Sequence, residues 1–121
     1  MLTDVELELM TILWKLGGGS VSEVIDQLPK DRDLAYTSVS TILRILEQKG
    51  VLTAQKEGRG HTYIPAIQKT DYEAKAVKDV VERVFDGTPL ALVKQLLNNV
   101  KINEQELKEL KDLINNVGKK K

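Results

Sequence analysis

The sequence predicts a mainly α-helical chain with one small β-hairpin. Three observations carry that expectation. Apolar residues recur at helical spacing in six separate segments. Between the third and fourth of these, the pattern changes to two short runs rich in β-branched and aromatic residues around a glycine-containing turn. Capping signals precede several of the helical stretches.

The first helix opens at Thr3-Asp4-Val5-Glu6, a capping box in which the Thr3 hydroxyl takes a backbone amide and Glu6 reaches back. Val5, Leu9, Ile12, Leu13 and Leu16 form its stripe, and Gly17-Gly18-Gly19 stops it. A second box, Ser20-Val21-Ser22-Glu23, opens a short helix with Val21, Val24, Ile25 and Leu28 on one face, ended by Pro29. A charged loop, Lys30 to Leu34, follows. The third helix is expected from about Thr37 to Lys49, burying Val39, Ile42, Leu43 and Leu46. Its opposite face carries Thr37, Thr41, Arg44 and Gln48, with Ser38 and Ile45 on one flank and Ser40 on the other. Gly50 closes it.

Residues 51–56 and 61–64 read as strands, with Glu57-Gly58-Arg59-Gly60 as the turn and Pro65 at the end of the second strand. Thr70-Asp71-Tyr72-Glu73 reads as a third capping box, followed by Val77, Val80, Val81, Val84 and Phe85 and stopped by Asp86-Gly87. Thr88 can cap the next helix, with Pro89 at its first position and Leu90, Val93, Leu96, Leu97 and Val100 along it. The last helix opens at Asn103-Glu104-Gln105-Glu106 and carries Leu107, Leu110, Leu113, Ile114 and Val117. Gly118 and three lysines read as a tail.

Three helices followed by a hairpin is the order of a winged helix-turn-helix domain. The expected division is residues 1–69 as a winged-helix DNA-binding domain and 70–121 as a helical dimerisation region with a short basic tail. Short isolated helices are marginal in water, so the C-terminal stripes need a packing partner. A second copy of the chain supplies one, with Val81, Val84, Phe85, Val93, Leu96, Leu97, Leu110, Leu113 and Ile114 as the expected dimer contacts.

The chain has 121 residues, 41% hydrophobic and 30% charged, a balance suited to a folded soluble chain. Its net charge of zero hides an uneven distribution. Residues 1–35 carry seven acids and three bases, whereas residues 36–69 carry five bases and two acids. The basic middle is where an anionic partner is sought. Arg44 can give two parallel hydrogen bonds to guanine. Thr37 and Ser38 lie near a helix N-terminus, where a phosphate is favoured. Lys56 and Arg59 place positive charge on the wing. The candidate contacts to double-stranded DNA are Tyr36, Thr37, Ser38, Ser40, Thr41, Arg44, Gln48, Lys56, Arg59 and His61.

These residues also carry a resemblance. The chain resembles the penicillinase-repressor and methicillin-resistance-regulator family (BlaI/MecI type) of bacterial transcriptional repressors. The likeness rests on residues 4–10 with Ile12-Leu13-Trp14, on Val24-Ile25-Asp26-Gln27-Leu28, and on Tyr36-Thr37-Ser38-Val39 with Thr41-Ile42-Leu43. It continues through Leu46 to Gly50, Lys56-Glu57-Gly58-Arg59, Tyr63-Ile64-Pro65, Asp71-Tyr72 and Phe85-Asp86-Gly87-Thr88. The resemblance implies a homodimer that binds a palindromic operator and blocks transcription. Ile45 stands where the family often has a basic residue. Gln95-Leu96 stands where antibiotic-sensing members carry the cleaved Asn–apolar bond, and the paired cysteines of copper-sensing relatives are missing. Neither inducing route transfers residue by residue, and the expected inducer is an unidentified protease or signal.

Other chemistry has little to rest on. The chain lacks cysteine, which excludes disulfides and thiolate sites, and His61 is its single histidine, without imidazole or thiolate partners for a metal. Gly17-Gly18-Gly19 reads as a connector, since no Gly-Lys-Ser/Thr follows. No nucleophile–base constellation marks an enzyme, and no cofactor is implied. No apolar run is long enough to span a bilayer and a signal-peptide pattern is missing, so a cytoplasmic location without a membrane partner is expected. The competing function is a winged helix used as a protein-interaction module, distinguished by whether duplex DNA binds with salt dependence.

Overall fold

The computed structural model describes residues 2–119, the last two by backbone alone. Six helices and one hairpin follow the expected order: α1 Asp4–Leu16, α2 Val21–Asp26, α3 Tyr36–Gln48, β1 Leu52–Glu57, β2 Gly60–Pro65, α4 Lys69–Val84, α5 Pro89–Asn99 and α6 Glu104–Lys119. The chain separates into two compact units, residues 1–76 and 77–121. The expected division at residue 69 falls inside the first unit because the opening turns of α4 are anchored there. Trp14 Nε1 donates to the Ile67 carbonyl at 3.0 Å, and the Trp14 and Tyr72 rings pack 5.8 Å apart. The Tyr72 hydroxyl accepts from the Leu2 amide at 3.2 Å. Trp14 thus packs within its own unit.

Both N-terminal capping boxes form. Thr3 Oγ1 accepts from the Glu6 amide while Glu6 Oε1 accepts from the Thr3 amide, and Ser20 and Glu23 repeat the exchange. The third expected box does not form. Thr70 lies inside α4, and the Asp71 and Tyr72 amides donate to the Gln68 carbonyl instead, so tertiary anchoring at Trp14 outranks the local signal. The α5 position is as expected, but Thr88 caps it without a side-chain hydrogen bond. Asn103 Oδ1 does cap α6, accepting from the Glu106 amide at 2.8 Å. That helix runs through Gly118 to Lys119 where a tail was expected. Lys120 and Lys121 lie outside the described residues. The second helix ends at Asp26, before the expected stop at Pro29.

The core of the first unit joins Leu9, Met10 and Leu13 of α1, Val21 and Val24 of α2, Val39, Leu43 and Leu46 of α3, and Leu52 and Tyr63 of the hairpin. Leu16, expected in the α1 stripe, is exposed, and Met10 is buried in the core. One charged residue is buried with this core. Glu6 is 6% exposed, and both carboxylate oxygens accept from Lys49 Nζ, at 2.9 and 2.8 Å. This pair ties the first turn of α1 to the end of α3. The Lys49 hydrogen bond holds the Glu6 carboxyl below the usual carboxylate range, against the upward push of burial. At the surface, Arg32 forks onto Glu8, and that carboxylate raises the guanidinium further above its ordinary value.

The wing strands pair antiparallel, Leu52 opposite Pro65 and Lys56 opposite His61. The glycine turn after α1 adds a third element. Gly19 and Tyr63 exchange two backbone hydrogen bonds, at 2.9 and 2.8 Å. Gly18 (φ 141°) passes so near β2 that a Cβ there would meet the Tyr63 carbonyl oxygen at 3.2 Å. The connector is therefore a third extended segment, bridged to β2 at this rung.

Candidate nucleic-acid interface

Helix α3 has one face committed to the core through Val39, Leu43 and Leu46. The rotation of 100° per residue turns Thr37, Thr41, Arg44 and Gln48 outward, and all four are exposed. Tyr36 and Ser38 are exposed beside them, while Ser40 is half-buried. The helix starts one residue earlier than expected. Its N-cap is Ala35, with no side-chain cap bond, so neither Thr37 nor Ser38 is occupied in capping. Thr41 Oγ1 instead donates to the Thr37 carbonyl one turn back, at 2.8 Å.

The hairpin brings its own charges to the same side. Register sets Lys56 opposite His61 and Ala54 opposite Tyr63, and strand alternation puts both pairs on one face. A hollow of about 510 Å3 lies between this face and α3, lined by Ser40, Arg44, Glu47, Ala54, Lys56, His61 and Tyr63. Four of the candidate contacts, Ser40, Arg44, Lys56 and His61, thus share one cleft. Thr37, Ser38 and Thr41 line a second hollow of about 410 Å3 together with Ile42, which is half-buried instead of fully in the core stripe. Tyr36, Gln48 and Arg59 are exposed but line neither.

Three members of the cleft, Glu47, Ala54 and Tyr63, are not among the sequence candidates. Tyr63 is buried at its floor, and burial first, then the Glu47 charge, pushes its phenol up, opposed by Arg44. These groups sense one another electrostatically across the cleft. Glu47 sits three residues after Arg44, a spacing that faces both to one side, and Tyr63 alternates with His61. Both signals were present in the pattern. The five bases of residues 36–69 do not act alike. Lys49 is bound to Glu6, and Lys69 lines a different hollow with Thr11, Trp14, Lys15 and Gln68. Arg44, Lys56 and Arg59 remain at α3 and the wing.

The last three helices, most of which lie in the second unit, present a different surface. No described residue of α4, α5 or α6 is buried. Of the expected dimer contacts, Val84, Leu96, Leu97, Leu113 and Ile114 are exposed, and Val81, Phe85, Val93 and Leu110 are half-buried. Val93, Leu96, Leu97, Leu110 and Leu113 line a groove of about 330 Å3 between α5 and α6, with Ile102, Glu106 and Glu109; Val81, Val84, Phe85 and Ile114 lie outside it. Among the described residues, no cluster of carboxylates and histidine is placed to hold a metal ion, and no helix is long and apolar enough to cross a membrane.

Residues 2–116 match the family model described as penicillinase repressor. The chain belongs to the penicillinase repressor family. Among characterised members it is 32% identical to the penicillinase repressor of Bacillus licheniformis over 113 residues, 93% of this chain and 88% of that protein. It is 24% identical to the penicillinase repressor of Staphylococcus aureus over 115 residues, 95% and 91% of the two chains. Two solved penicillinase-repressor structures share its fold. The DNA-binding domain of the repressor BlaI matches at 38% identity and TM-score 0.53, covering 60% of this chain and 88% of that one. The Bacillus licheniformis BlaI monomeric form in complex with the blaP half-operator matches at 38% identity and TM-score 0.50, with the same coverage. The first unit is a winged helix of this family, with α3 in the recognition-helix position and β1–β2 as its wing.

Proposed function

We propose that this chain is a sequence-specific DNA-binding repressor of transcription that acts as a homodimer on a palindromic operator. The observation that carries the reading is the shared cleft. Arg44 on α3 and Lys56 and His61 on the wing converge there from separate elements. Arg44 reads a guanine in the major groove, while Lys56, Arg59 and the α3 hydroxyls take phosphates. The solved complex of a family member with a half-operator supports the same use of this fold. The unburied stripes of α4–α6 support self-association. Two copies related by a twofold axis set half-sites about 10 base pairs apart, or a multiple of that. The chain acts as a binding protein without catalytic residues, metal or cofactor, working in the cytoplasm where its operator is.

The test is selection of duplexes from a random pool by the full chain, followed by fluorescence anisotropy across a salt series. Recovery of a palindromic sequence whose affinity falls steeply with salt supports the proposal. No enrichment over the pool overturns it in favour of a protein-interaction module.

A further inference from the structure

In the first unit, three large hydrophobic side chains are exposed among the described residues: Leu16, Tyr36 and Ile45. Two of them lie on α3. Ile45, 38% exposed, is not isolated. Ser38, Thr41, Ile42 and Ile45 fall at positions i, i+3, i+4 and i+7, the spacing that lines one strip of a helix. Neighbours at i and i+4 on such a strip stand about 5–6 Å apart at Cβ. Thr41 belongs to this strip chemically as well as geometrically. Its hydroxyl proton is already given to the Thr37 carbonyl, so toward a ligand it offers a methyl group and an acceptor oxygen. The outward face of α3 therefore carries two adjoining strips: a polar one containing Arg44, and a methyl-bearing one formed by Thr41, Ile42 and Ile45.

We infer that the Thr41–Ile42–Ile45 strip reads thymine C5-methyl groups in the operator, with Ile45 as a specificity-determining residue. The inference rests on the DNA-binding reading above. The occupant follows from what surrounds the strip. Arg44 borders it on the same helix and Lys56 lies across the cleft, so the surface that approaches is polyanionic. A major groove offers one apolar group at its base edges, the methyl of thymine, to be met by alkyl side chains. Polar contact alone cannot tell a thymine from a uracil, whereas an alkyl strip does.

The test uses the best-bound duplex selected from a random pool by the wild-type chain. Each thymine is replaced singly by 2′-deoxyuridine, which keeps the base pair and removes only the methyl. Wild type should lose about fourfold in affinity at one or two positions per half-site, the effect of uncovering one methyl group. Ile45→Ala should bind the parent duplex more weakly and become indifferent to those same substitutions. Alanine favours the helix, so this variant stays folded, which its thermal midpoint checks. Thr41→Ser, which keeps the hydroxyl bond and removes a methyl, should lose part of the same sensitivity. The inference is overturned if no single deoxyuridine costs wild type more than about twofold. It is equally overturned if Ile45→Ala retains the full wild-type penalty. Either result, obtained on a tightly bound selected duplex, leaves the DNA-binding reading standing. Failure to select any duplex removes both.

Discussion

Replacing Lys49 by Met strips the cation from Glu6 while keeping the length of the side-chain stem. Both Glu6 oxygens accept from Lys49 Nζ, and Oε1 also accepts from the Thr3 amide at 2.8 Å. After Lys49→Met the carboxylate keeps the amide but stays buried, its side chain only 8% exposed. Breaking a fully buried pair costs about 3–5 kcal/mol, and an exposed one contributes about 0.2–1 kcal/mol. This pair is mixed, because the Lys49 side chain is 44% exposed and water screens its charge. The expected loss is therefore about 1.5–3 kcal/mol, the range of a charged hydrogen bond. Because Glu6 titrates below its ordinary value in the native chain, the stabilisation is complete above the usual carboxylate range. It is lost as pH falls through the lowered native value. The gap between wild type and variant should thus be widest at neutral pH and close as pH falls below the usual carboxylate range. The assay is urea unfolding at fixed protein concentration, followed by the fluorescence of Trp14, the single tryptophan, which sits in the same unit. A urea slope of about 1 kcal/mol per molar turns a 2 kcal/mol loss into a midpoint shift of about 2 M. A gap under about 0.5 kcal/mol at neutral pH, or one that does not shrink with acid, refutes the reasoning.

Arg44→Ala should cost about 1–3 kcal/mol on the selected operator and relax preference at one base position; equal weakening on unrelated duplexes would demote Arg44 to a phosphate contact. Neutralising Lys56 or Arg59 should reduce the slope of log affinity against log salt by about 0.9 per phosphate contact, and an unchanged slope takes the wing out of the interface. Leu96→Asp, in the groove between α5 and α6, should move the chain toward monomer in sedimentation and weaken operator binding with the first unit still folded; an unaltered dimer disproves the assignment. Gly18→Ala should lower stability by more than about 1 kcal/mol, because both its φ of 141° and the Tyr63 carbonyl oppose a side chain.

What was legible in the sequence was mostly local. The boxes at Thr3 and Ser20 form because each needs only residues three apart. The box at Thr70 fails for a long-range reason. Trp14, more than fifty residues away in sequence, holds Ile67 and Tyr72 and so decides where α4 begins. Glu6 shows the same division. Its capping role could be read locally, whereas its pairing with Lys49 depends on how α1 meets α3. At the candidate site, helical phase placed Arg44 outward and glycine placed the turn of the wing. The depth of the cleft was invisible, because Tyr63 reaches its floor through strand register and the bridge to Gly19. Helical phase marks Thr41 as an outward-facing candidate contact, but not that its hydroxyl proton is directed back to the Thr37 carbonyl.

The rung between Gly19 and Tyr63 gives the wing two mechanical regimes. A two-stranded hairpin alone is marginally stable, and here its base is clamped to the turn between α1 and α2, while Gly58 and Arg59 at its tip are exposed. Length should accordingly be tolerated very differently at the two ends. Extra residues at the tip add only loop, with a small entropic cost. One extra residue among Gly17, Gly18 and Gly19 shifts the rung out of register, and with it the floor of the cleft beneath Arg44. Variation among related chains is then expected to gather at the tip in length, and at the base only in side-chain identity.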